Sequence, residues 1–193
     1  MCFHAQQTRS ASEVQERFQA QGLVSLGIYN GFSHPKVTAI CDQAPQQLQL
    51  LQWGIIPHWA KDRSIQKYTL NARQETLHQK PSFKEAKRGL LIADGFFEWQ
   101  WLDSAGRKKK KYLVTLPNGG LFAFAALWDQ WIDPYSGAVI QSAAIVTQAA
   151  QGIMRTIHNS KMRMPLILSP EEESLWLVGG TPKPVTDLHA TPI

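Results

Sequence analysis

Cysteine is scarce, with two in 193 residues. Cys2 and Cys41 form no C-x-x-C pair and no disulfide framework, which excludes a stapled secreted scaffold and makes a reducing, cytoplasmic setting the expectation. No apolar run approaches the roughly 20 residues that span a bilayer, and the start lacks the charged-then-apolar layout of a signal peptide, so no membrane partner is expected. A G-x-G-x-x-G or Walker loop is missing too, which argues against a nucleotide-cofactor fold. The remaining histidines, His4, His34, His58, His78 and His189, stand apart from His158 without metal-ligand spacing, so neither a metal nor another cofactor is expected. Repeats, low-complexity tracts and linkers are also lacking. One domain over residues 1–193 follows, long enough to bury a substantial core.

What is present is an ordinary globular composition, 44% hydrophobic and 18% charged. The formal net charge is +5, and the basic excess is gathered in three places: "RKKKK" (Arg107 to Lys111), "KEAKR" (Lys84 to Arg88) and "KMR" (Lys161 to Arg163). Such clusters can hold phosphates, although any one alone reads as a solvated loop, and a moderate charge argues against a purely electrostatic DNA coat. Seven tryptophans beside them turn the balance toward single-stranded nucleic acid, whose bases stack on aromatic faces, although tryptophans also fill cores.

Local patterning predicts a short helix from Ser12 through "EVQERFQAQG", closed by Gly22, and strands at "VTAIC" and "LQLLQWGI". "PSFKEAKRG" predicts a helix between Pro81 and Gly89. "LLIADGFFEWQWLDSAGRKKKKYLVTL" reads as two strand stretches around a turn at Gly106, followed by strands at "LFAFAALWDQW" and "AVIQSAAIVT". "SPEEESLWLVG" reads as a helix with Ser169 as N-cap, Pro170 at its first position and Glu172 completing a capping box. Strands dominate without regular β-α-β alternation. The fold class is therefore α+β, built on a curved, mainly antiparallel sheet with a few short helices.

Four stretches could carry chemistry. Cys2 follows the initiator methionine, and a small second residue permits removal of Met1. The freed amine would titrate near pH 8, leaving a useful neutral fraction at pH 7. A neutral amine condenses with an aldehyde, and the adjacent thiol can close onto the imine carbon as a five-membered thiazolidine. In "DGFFEW", alternation places Phe96, Glu98 and Gln100 on one face, so Glu98 is either an edge residue facing water or a partly buried acid of raised pKa suited to proton transfer. "LNARQET" offers Asn71 as donor and acceptor, with Arg73 on the same face if the segment is extended, where it could grip a phosphate. Taken alone, that stretch is a turn asparagine and a surface arginine. "TIHNSKMRMPLIL" places His158 ahead of a basic loop, where it could shuttle protons or bond a loop carbonyl.

The order of these elements resembles the SRAP family (SOS response-associated peptidases, also called abasic site processing proteins). The matching stretches are Cys2, "YN" at Tyr29–Asn30 with Pro35, "WGIIPHW" at Trp53 to Trp59, "NARQET", "SFK" at Ser82 to Lys84, "ADGFFEW", and "IH" followed by "RMPLIL". The resemblance implies a barrel-like SRAP fold and a DNA-damage function. The protein would bind single-stranded DNA, form a thiazolidine crosslink between Cys2 and the aldehyde of an abasic site, and carry peptidase-like and lyase activity. It would act as a cytoplasmic, nucleoid-associated monomer. By the same resemblance Cys2 is the nucleophile, Asn71 orients it, Glu98 is the general acid–base and His158 assists proton transfer. Arg73 and Lys84, with Arg163 and the tryptophans Trp53 and Trp59, would contact DNA. Phe3 and His4 depart from the family's usual C-G-R start, and the interval from His158 to Pro165 is about three residues longer than usual. The chain stops at "LHATPI" where relatives continue through a basic segment, which reads as a shortened C terminus. Two other classes remain: an N-terminal cysteine amidohydrolase acting on a small amide or peptide, and a non-catalytic single-strand binding module.

Overall fold

The computed structural model describes residues 2–193. The chain enters as β1 (His4–Gln7), then α1 (Ala11–Phe18), β2 (Gln21–Gly22), β3 (Gly27–Asn30), β4 (Lys36–Cys41) and β5 (Ala44–Trp53). After a long loop come β6 (Asn71–Arg73), β7 (Lys87–Ala93), β8 (Gly95–Trp101), β9 (Lys109–Thr115), β10 (Phe122–Ile132) and β11 (Val139–Ala149). The chain ends through α2 (Met154–Ile157), β12 (Arg163–Pro165), β13 (Ile167–Leu168), α3 (Pro170–Leu177) and β14 (His189–Pro192).

Strands β11, β10, β7, β4 and β5 pair in that order, and β5 returns to β11 through a short parallel contact, Ser142 with Gln52 and Ala143 with Trp53. The five strands close on themselves as a barrel, which removes the exposed edges that an open sheet would present. A second sheet runs β14-β9-β8-β1-β3. The near-continuous apolar run of β10 is buried on both faces, as expected of a wall strand covered on each side. Phe122, Phe124 and Ala126 join a cluster with Phe96 and Val114 of the second sheet. The alternate residues Ala123, Ala125 and Leu127 join one with Val14 of α1 and Trp176 of α3. Among the described residues no helix is long and apolar enough to cross a membrane.

Three local expectations are corrected. The α1 cap is Ser10, which forms a reciprocal capping box with Glu13, while Ser12 lies inside the helix. The helix closes at Gln19 in the left-handed region, and Gly22 belongs to β2. No helix runs from Pro81 to Gly89: the stretch is turns, with Lys80 O accepting from the Phe83 and Lys84 amides, and β7 begins at Lys87. Strand β7 is paired on both sides, by β4 and β10, and this ladder overrides the helical propensity of "KEAKR". Gly89 is there for close approach, since a Cβ would lie 3.0 Å from Ile40 O and 3.2 Å from the Trp128 ring. Ser169 does precede α3, but its hydroxyl donates to Glu171 at 2.7 Å and Glu172 accepts from the Lys183 amide, so no capping box forms.

Candidate active site

The site lies where the N-terminal strand meets β8 and the barrel. β1 pairs antiparallel with β8, His4 opposite Phe97 and Ala5 opposite Phe96. This register carries Cys2 into the seam between the two sheets, where it is fully buried. Its thiol donates weakly to His4 O at 3.7 Å. Asn71 Nδ2 donates to Cys2 O at 2.8 Å. Asn71 is itself fixed by β6, which pairs parallel with β11 with Asn71 opposite Ile145. The preceding carbonyl, Leu70 O, accepts from both the Ile145 amide and Trp53 Nε1. Asn71 Oδ1 is buried and has no hydrogen-bond partner among the described residues.

Glu98 sits on β8 between β1 and β9, so it is no edge residue; it is 4% exposed. Burial raises its carboxyl to about 7, so acid and carboxylate coexist near neutrality. His158 Nε2 lies 3.8 Å from Glu98 Oε2. Burial lowers the imidazole to about 4, which keeps it neutral. Its Nδ1 lies 2.8 Å from Arg163 O and 3.1 Å from the Arg163 amide, contacts that hold the ring with Nε2 toward Glu98. Burial also pushes the Cys2 thiol up, with Glu98 adding to the rise. The centre is therefore a buried cysteine beside an acid that can give or take a proton, with a neutral imidazole behind it.

The interval after His158 folds as a turn. Met162 takes φ 52°, and its amide donates to His158 O. Asn159 clamps the end of β8, accepting from the Trp101 amide at 3.0 Å and donating to Trp101 O at 2.9 Å. Asn159 thus ties the His158 segment to the Glu98 strand.

The sequence-predicted DNA contacts divide sharply. Arg73 is exposed on β6, and Trp59 is 48% exposed. Lys84 is exposed beside Glu85, 3.4 Å away. Trp53 is corrected: it is 1% exposed with its indole N–H committed to Leu70 O, so it offers no face to a base and instead braces the segment bearing Asn71. Arg163 is corrected too. It forms a bidentate pair with Glu75 at 2.6 and 3.0 Å and donates to Thr147 O at 2.7 Å, so its guanidinium is occupied within the fold. The "RKKKK" stretch lies mainly on β9, where Lys111 covers the Phe97 ring at 4.5 Å and Lys109 covers Trp101 at 5.5 Å.

Two rings near the centre escaped the sequence reading. Phe32 is 54% and Tyr68 76% exposed. An aromatic residue inside a turn composition such as "NGFSHP" was the signal available for Phe32, since turns rarely need large apolar groups.

The sequence model of the family described as "SOS response associated peptidase (SRAP)" matches residues 1–192. The Abasic site processing protein YoqW of Bacillus subtilis is 40% identical over 144 residues, covering 73% of this chain and 62% of the relative. The Abasic site processing protein HMCES of Xenopus tropicalis is 30% identical over 155 residues, covering 68% and 44%. The chain thus spans less than two thirds of the length of either. A crystal structure of a Bacteroides thetaiotaomicron protein superposes with a TM-score of 0.89 at 29% identity, covering all of this chain and 92% of the other.

Proposed function

Because the chain belongs to the SRAP family, we propose that it recognises abasic sites in unpaired DNA and joins them covalently through Cys2. The relatives are named for abasic site processing. The observation that carries the reading to this chain is Cys2 anchored by Asn71 in one buried centre with Glu98 and His158.

The chemistry begins once Met1 is removed by hydrolysis, which exposes the Cys2 amine. That amine attacks C1′ of the ring-opened sugar, forming a C–N bond and, after proton transfer, a carbinolamine. Protonated Glu98 gives its proton to the departing hydroxyl, which leaves as water, and the iminium forms with Glu98 now a carboxylate. The thiol then adds across the C=N bond. Sulfur bonds to the carbon, the C=N electron pair settles on nitrogen, and the Glu98 carboxylate takes up the thiol proton. The net change is amine, thiol and aldehyde to thiazolidine plus one water. An acid near pKa 7 suits both halves, since it must donate and then accept near neutral pH. Asn71 holds the Cys2 carbonyl and so fixes the attack angle, while neutral His158 supports the proton on Glu98. β-Elimination from the imine accounts for lyase activity, and removal of Met1 for the peptidase-like label. Arg73, Lys84 and Trp59 would contact the flanking strand, and the protein would act as a monomer. Burial that raises the thiol disfavours a thiolate-first amidohydrolase.

Two variants separate the roles. Cys2→Ser keeps the amine but lacks sulfur, so borohydride should trap an imine while no heat-stable adduct accumulates. Glu98→Gln should slow adduct formation on the order of 100-fold or more. Heat-stable adduct from Cys2→Ser, or an unchanged rate in Glu98→Gln, would contradict the proposal.

A further inference from the structure

A cavity of about 220 Å³ opens beside the reactive terminus, lined by Phe3, Phe32, Lys67, Tyr68, Leu70 and Asn71. Its walls are aromatic. The Phe3 and Phe32 rings lie 4.8 Å apart at 32°, and Lys67 Nζ stands 4.9 Å above the Tyr68 ring. The backbone is built to present Phe32. Asn30 Oδ1 accepts from the Phe32 amide at 3.0 Å, and Ser33 Oγ donates to Asn30 O at 2.8 Å. The Gly31 amide donates to Phe3 O at 2.8 Å, and a Cβ at Gly31 would crowd that oxygen at 3.2 Å and the Trp53 ring at 3.3 Å. Phe3 and Phe32 are therefore locked together, although Phe32 gains little burial from the arrangement. A soluble fold has no packing reason to fix a half-exposed phenylalanine beside an exposed tyrosine.

We infer that this pocket is a subsite for the nucleobase next to the lesion, stacked between the Phe3–Phe32 pair and Tyr68 with its phosphate near Lys67. The inference rests on the proposed chemistry at Cys2. Two features select this occupant over another apolar group. Asn71 both lines the cavity and bonds Cys2 O at 2.8 Å, so the pocket begins one side chain from the reacting residue. Neighbouring nucleotides on one strand are separated by about 3.4 Å when stacked, so a sugar held at Cys2 must place an adjacent base within reach. An aromatic wall with a single lysine also matches a base with its phosphate, because stacking tolerates any base identity.

The test uses the full chain and single-stranded oligonucleotides bearing a tetrahydrofuran abasic analogue, which cannot form the adduct, with 2-aminopurine on its 5′ or 3′ side. On wild-type protein the probe on one side should be quenched by stacking. Phe32→Ala and Tyr68→Ala, both at exposed positions and so expected to fold, should abolish that quenching and weaken binding about fivefold to tenfold each. Replacing the neighbouring base by a second tetrahydrofuran should weaken wild-type binding by a similar factor and remove any further loss in the variants. Absent quenching on both sides, unchanged variants, or variant losses that persist without the neighbouring base would each overturn the subsite. Adduct formation on a true abasic site is scored separately. Quenching without adduct indicts the Cys2 chemistry, and adduct without quenching indicts the pocket.

Discussion

Glu98 and His158 lie 3.8 Å apart, yet burial moves both toward their uncharged forms. Between the ordinary carboxyl value of 4.5 and about 7, the unfolded chain gives up a proton that folded Glu98 keeps, so stability falls as pH rises. Between about 4 and the ordinary imidazole value of 6.5, the unfolded chain binds a proton that folded His158 refuses, so stability rises. The two trends oppose each other over nearly the same window. Wild-type stability should therefore be almost flat there as far as this pair is concerned. Glu98→Gln should expose the rising limb and His158→Gln the falling one, each on the order of 3 kcal/mol, as read from urea midpoints at pH 4 to 7. Parallel profiles for the two variants would show that the pair is not held uncharged. The sequence already pointed to Glu98 and His158 separately. It offered a raised Glu98 carboxyl as one of two alternatives, but the choice between them and the opposed shift of His158 depend on burial that only the packed seam between the sheets creates.

At the level of elements, the strands and the helices α1 and α3 were legible, whereas the α1 cap and end and the stretch from Pro81 to Gly89 were not. Alternation and apolar runs located β4, β5, β8, β10 and β11, of which β4, β10 and most of β11 are buried along both faces. "KEAKR" misled because a ladder with β4 and β10 outweighs local propensity, and Gly89 serves close packing rather than a helix end. Tryptophans were ambiguous from sequence for a related reason: the same residue type serves a core or a stacking platform, and only exposure separates them. Trp53 and Trp59 give the contrast a test. Trp53→Ala should cost about 3–5 kcal/mol and loosen the brace on Leu70 O and Asn71. Trp59→Ala, at a 48% exposed position, should change stability by no more than about 0.5 kcal/mol and weaken single-strand binding instead. Denaturation midpoints and oligonucleotide titrations on the two variants would settle the division. A stability loss in Trp59→Ala equal to that in Trp53→Ala would contradict it.

At the scale of the whole molecule, the barrel supplies β6 and the second sheet supplies β1 and β8, and the centre forms only where they meet. Asn71 reaches Cys2 from 69 positions away in sequence, which no local pattern could reveal. Around that seam lie Arg73 on β6, the aromatic cavity ahead of it and the lysines of β9 over their rings, a layout suited to a strand of DNA held at one unpaired position. The most direct measurement is the intact mass of the product formed with a single-stranded oligonucleotide carrying one abasic site. A heat-resistant species equal to the protein without Met1 plus DNA minus one water is expected, absent from Cys2→Ala. Protein shown to lack Met1 that yields only reversible, salt-sensitive binding, or an adduct that survives in Cys2→Ala, would contradict it.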